Sequence, residues 1–131
     1  MNTETIKRLV LVVEDDPDIG RIISVALERD NLAVSLVDNA VAAFNRLIDL
    51  RPDLIITDVM MPGVDGLELV KFLKSDPRTC EIPILIVSAR TADSDVRAGE
   101  AAGADFYFAK PFSMIELMES VHEALASSQG D

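Results

Sequence analysis

The sequence is poor in several residue types, and each shortage excludes something. One cysteine in 131 residues rules out an intrachain disulfide. That residue, Cys80, sits before Pro83 with only Arg78 as a basic neighbour. It reads as inert, and a reducing, cytoplasmic setting is expected. The single histidine, His122, has no His or Cys partner nearby and reads as a surface or rim residue. Lys and Arg number 12 against 23 Asp and Glu, a net charge of −11. Such a surface repels nucleic acid and anionic membranes at long range. No direct nucleic-acid contact is expected, and a bound cation or a partner with basic patches fits better. No apolar run approaches the length of a membrane span. Met1 to Lys7 is polar and lacks the apolar core of a signal peptide.

What is present is a globular composition, 49% hydrophobic. The length fits one domain, residues 1–131, with a core of about 8–125 and frayed ends at 1–6 and 127–131. Strand-like and helix-like segments alternate. Arg8 to Val13, Ala33 to Val37, Leu54 to Thr57, Ile84 to Val87 and Phe106 to Ala109 read as strands. Asp16 before Pro17 reads as a helix cap. Asp38 or Asn39 caps a second helix, which Arg51-Pro52 stops. Met60 to Gly66 is a loop rich in Gly and Pro. A third helix runs through Leu67, Val70 and Leu73 to Lys74. The fourth, about Ala92 to Ala102, carries Gly99 and few large apolar residues, so it is expected to be the least stable. Ser113 to Glu116 matches a capping box for the fifth. Five β-α units imply a parallel sheet covered on both faces.

Parallel strands bring their carboxyl ends to one edge, where open α/β sheets bind ligands. Glu14, Asp15 and Asp16 follow the first strand, and Asp58 the third. Ser88 follows the fourth and Lys110 the fifth. Two carboxylates ~4 Å apart repel by roughly 4 kcal/mol at an effective dielectric near 20. A hard cation with oxygen ligands relieves that conflict, and Mg²⁺ suits few carboxylates and several waters. Lys110 adds a positive charge for a phosphoryl oxygen and Ser88 a hydroxyl donor. Asp58, at the end of the central strand before an open loop, is the candidate nucleophile.

These residues resemble the receiver domain of two-component response regulators. The motifs are Leu11 to Asp16, Thr57 to Gly66, Val87-Ser88-Ala89, Gly103-Ala104-Asp105, Tyr107 and Lys110-Pro111-Phe112. The resemblance runs from about Arg8 to Leu125. It implies a single doubly wound α/β domain, flavodoxin-like, with strand order 2-1-3-4-5. It implies that Asp58 accepts a phosphoryl group from a histidine kinase or a histidine phosphotransfer protein. It makes Asp15 a direct Mg²⁺ ligand, Glu14 a ligand through water, and Asp58 and the Met60 carbonyl further ligands. Ser88 and Tyr107 take the family's switch positions. Lys110 is to reach the phosphoryl group or Asp58, and Lys110-Pro111 is to be cis. The switched surface comprises the fourth helix, fifth strand and fifth helix, and acts on an unknown output protein or attached domain.

Some positions depart from common patterns. Met60 and Arg90 flank the site of water attack, and neither is a carboxylate or amide able to orient water. Pro111 to Asp131 holds no Lys or Arg, which argues against a dimer through basic residues of the fifth helix. A phosphohydrolase with an Asp nucleophile resembles Asp-x-Asp there, but position 60 is Met. A flavin carrier needs a phosphate loop after the first strand, where Glu14 to Asp16 repel phosphate. An unreactive receiver-like module is expected to lack Asp58, Lys110 or the acid pair, and none is missing.

Overall fold

The protein is described from a computed structural model covering residues 7–61 and 65–128. Five strands alternate with five helices. They are β1 (Leu9–Val13), α1 (Pro17–Arg29), β2 (Ala33–Val37), α2 (Ala40–Asp49) and β3 (Leu54–Thr57). Then come α3 (Gly66–Ser75), β4 (Ile84–Ser88), α4 (Asp93–Ala102), β5 (Phe106–Ala109) and α5 (Met114–Ser128). All strand pairings are parallel, in the order β2-β1-β3-β4-β5.

Alternation along the central strands divides the core in two. Val10, Val12, Leu54, Ile56, Leu85 and Val87 meet Ile23 and Leu27 of α1 and Leu117 and Val121 of α5. Leu11, Val13, Ile55, Ile84 and Ile86 meet Ala43 of α2, Leu69 and Leu73 of α3 and Ala102 of α4. Strands covered on both faces need continuous apolar runs, and the central strands have them. Full burial of one such side chain contributes roughly 1.5–3 kcal/mol. Among the described residues, no helix is long and apolar enough to cross a membrane.

The caps follow from short polar side chains that accept from free N–H groups at helix starts. Asp16 accepts from Asp18 and Ile19 ahead of Pro17, and Asn39 accepts from Ala42. The Ser113 hydroxyl accepts from the Glu116 N–H.

Several boundaries differ from the sequence reading, among them β1, which opens at Leu9 instead of Arg8, and α3, which runs to Ser75 instead of Lys74. Gly66 opens α3 instead of ending the loop, because Asp65 caps the helix through the Leu67 N–H. Ser88 closes β4, held by its pairing with Ala109. Helix α5 continues through Ser128, past the expected fraying at Ser127. Pro62, Gly63, Val64, the expected frayed end at 1–6 and residues 129–131 of the expected frayed end at 127–131 lie outside the described residues.

Candidate phosphoacceptor site

Strand register assembles the site. Val13 of β1 pairs with Thr57 of β3, so Glu14 and Asp58 leave the sheet side by side. Backbone bonds continue past the strand ends and pin these residues. Asp58 N–H donates to the Val13 carbonyl at 3.0 Å and Glu14 N–H to the Val37 carbonyl at 3.0 Å. Lys110 N–H donates to the Ser88 carbonyl at 2.7 Å. The Lys110-Pro111 bond is cis.

The side chains then converge. Lys110 Nζ lies 2.8 Å from Asp58 Oδ2 and 2.9 Å from Glu14 Oε1. Asp58 Oδ1 accepts from the Met60 N–H at 2.9 Å, so both Asp58 oxygens have donors. Glu14 Oε2 accepts from the Asp16 N–H. Glu14 and Asp58 are buried, and Asp15 is exposed. Carboxylate oxygens of these three residues lie within 4.8 Å of one another. Asp16 faces away into its capping role. Hard oxygen donors in this number suit a hard divalent cation and offer nothing to a soft one.

One ammonium serves several carboxylates, and the imbalance falls on Glu14. Burial raises the Glu14 pKa above its usual value, helped by the Asp58 charge. Hydrogen bonds from Lys110 and the Asp16 N–H oppose that rise without cancelling it. Burial works against the Lys110 charge, but its bonds to Asp58 and Glu14 outweigh burial and lift its pKa.

Ser88 is fully buried, and its hydroxyl oxygen accepts from the Arg90 N–H at 3.1 Å. The Tyr107 hydroxyl donates to the Arg90 carbonyl at 2.8 Å. Ser88 and Tyr107 therefore hold opposite edges of residue Arg90. The Tyr107 ring packs partly buried against the α2-α3-α4 side of the core. The Met60 side chain is 45% exposed beside this pocket.

Sequence reasoning missed three features. Lys74 donates to the Cys80 and Ile82 carbonyls and reaches Asp105, which also accepts from the Ile84 N–H. This clasp holds the start of β4, and a lysine in a last helical turn carries no sign of it. His122 lies against Asp30 at the end of α1. A His-Asp pair 92 residues apart is invisible in spacing. Gly99 reads in sequence as a weak point of α4, yet it is buried in the structure.

A large apolar groove lies elsewhere, between α2 and α3, with a volume of about 800 Å³. The charged groups gather instead at the strand edge.

Comparison with known proteins agrees with this geometry. Residues 10–122 match the response regulator receiver domain model. The phosphate regulon transcriptional regulatory protein PhoB of Pseudomonas aeruginosa is 36% identical over 118 residues. That match takes in 90% of this chain and 52% of PhoB. The chain spans about half the length of the curated relatives it matches. The signal receiver domain of a histidine kinase from Syntrophus aciditrophicus superposes with a TM-score of 0.88 at 31% identity. That superposition covers 95% of this chain and 94% of the other. The receiver domain of a sensor histidine kinase from Pseudomonas aeruginosa superposes at 0.83 with 26% identity, over 92% and 99% of the two chains. It was solved with a magnesium ion coordinated in its active-site cleft. The chain belongs to the response regulator receiver domain family of two-component systems.

Proposed function

We propose that Asp58 accepts a phosphoryl group from a phosphohistidine of a histidine kinase or histidine phosphotransfer protein. The observation that carries this reading is Lys110 bridging Asp58 and Glu14 beside the Asp15 carboxylate. An Asp58 oxygen attacks phosphorus as the bond from phosphorus to the donor's imidazole nitrogen breaks. Lys110 follows the charge onto the phosphoryl oxygens, and Ser88 donates its hydroxyl proton to another. The Met60 N–H holds the second Asp58 oxygen and fixes the carboxylate plane.

Asp15, Asp58 and the Met60 carbonyl would hold Mg²⁺, with Glu14 acting through water. The cation supplies charge neutralisation during transfer. The magnesium recorded in the Pseudomonas aeruginosa receiver supports this choice.

The reading extends to signalling. Ser88 can donate to a phosphoryl oxygen while its own oxygen still accepts from Arg90. Movement of Ser88 toward the site then carries the Arg90 carbonyl, which holds Tyr107. The surface of α4, β5 and α5 changes with it and controls a partner or an attached output domain. The chain works as a switch with no separate substrate, and it assists its own dephosphorylation. The DNA-binding names of curated relatives describe proteins about twice this length. With a net charge of −11, this chain is assigned no DNA contact and no membrane contact of its own, and a cytoplasmic place.

The test is intact-mass measurement with a small acyl phosphate and Mg²⁺. One phosphate should add to the wild type and none to Asp58→Asn or to chelated protein. A phosphate that persists in Asp58→Asn sinks the assignment.

A further inference from the structure

Helix α4 packs tightly on β5 at Gly99. A Cβ built there would lie 2.8 Å from Tyr107 Cδ2, 3.0 Å from Tyr107 Cε2 and 3.1 Å from Ile86 Cδ1. The Cδ2–Cε2 side of the ring therefore rests on bare helix backbone. A methyl group has no room unless the ring or the helix moves, because such contacts fall inside normal carbon separations. Ile86 pairs with Tyr107 across β4 and β5, so it closes the far wall of the seat. The hydroxyl at the ring's other end donates to the Arg90 carbonyl. Arg90 in turn donates to Ser88.

We propose that Gly99 is a positioning residue, the seat that lets Tyr107 lie inward and so couples Ser88 to helix α4. The inference rests on the switch reading above and deepens it. With Tyr107 seated, ring, helix and Arg90 form one contiguous chain of contacts from the phosphoacceptor edge to the α4 surface. With the ring out, α4 loses a packing partner at one of its two buried positions and is free to shift. Glycine at this position is then a steric requirement of the switch, although glycine in a helix interior is otherwise unfavourable.

Tyr107 is the only tyrosine in the chain, so it can be watched alone. The full chain labelled with fluorotyrosine gives one ¹⁹F resonance. In Gly99→Ala that resonance is expected to move toward its position in the urea-unfolded chain. A resonance at the wild-type position overturns the proposal. A second measurement guards against a simple folding defect. Gly99→Ala should lower the urea midpoint clearly more when Tyr107 is present than in Tyr107→Ala, where only the end of the Ile86 side chain still crowds the methyl. Equal changes in both backgrounds overturn the proposal. Treatment with an acyl phosphate and Mg²⁺ separates the two readings. Gly99→Ala should gain one phosphate by mass while its resonance stays displaced. A resonance that returns to the wild-type position on phosphorylation overturns the seat. If the wild type gains no phosphate, the Asp58 reading falls, and the seat is still decided by the resonance and the midpoints.

Discussion

Replacing Lys110 with Met keeps the side-chain stem and removes the charge that two buried carboxylates share. Lys110 Nζ lies 2.8 Å from Asp58 and 2.9 Å from Glu14. At an effective dielectric near 20 each attraction is about 6 kcal/mol before desolvation is subtracted. Loss of one partner of a buried pair typically costs about 3–5 kcal/mol. The folded protein has a cheaper escape, which is to protonate Glu14. From the usual carboxyl value of 4.5, holding that proton costs about 1.36 kcal/mol per pH unit. The share of the loss that falls on Glu14 is thus capped at about 3.4 kcal/mol at pH 7 and about 0.7 kcal/mol at pH 5, while the loss of the Lys110–Asp58 pair is common to both pH values. The sign follows from proton counts. Folded Lys110→Met holds a proton on Glu14 that the unfolded chain releases above 4.5. Stability relative to wild type therefore falls as pH rises through this window. The wild type has the same sign and a smaller slope, because Lys110 opposes the rise of the Glu14 pKa. Urea denaturation at pH 5, 6 and 7 without divalent ions measures the loss. Mg²⁺ at pH 7 should recover part of it by neutralising the bare carboxylates. An equal loss at pH 5 and pH 7 refutes the reasoning, since Glu14 would then not take up the proton.

Other outcomes follow from the same geometry. Asp15→Ala should abolish Mg²⁺ binding in a titration. Asp16→Ala should keep binding and cost about 1 kcal/mol of stability through the lost α1 cap. Gly66→Ala places a methyl 2.4 Å from Val59 Cα and 2.5 Å from the Asp58 carbonyl oxygen, both backbone atoms. It should cost about 1–3 kcal/mol in denaturant and slow phosphorylation followed by mass, since the loop after Asp58 must move. Met60→Asn supplies an amide beside the water-attack position and should shorten the phosphoryl lifetime. An unchanged decay rate would show that the side chain at position 60 does not face that water.

The sequence by itself determined the elements and the location of the charged strand edge. Continuous apolar runs such as Leu9 to Val13 and Leu54 to Thr57 can only be strands covered on both faces. Asp16-Pro17 starts a helix through local hydrogen bonding. Chemistry-bearing residues just after parallel strands must share an edge, so Glu14, Asp58, Ser88 and Lys110 were legible as neighbours. Tertiary structure decided whatever depends on register and side-chain direction. The Val13–Thr57 register sets Glu14 beside Asp58, and only then can one lysine bridge both. The choice of Asp16 as cap and Asp15 as a member of the acid cluster is a matter of where each side chain points. Gly99 gives the sharpest contrast. Along the chain it is only a poor helix former. Packed against Tyr107 it leaves room for the ring where a side chain would collide with it, because a missing methyl has meaning only when something fills its space.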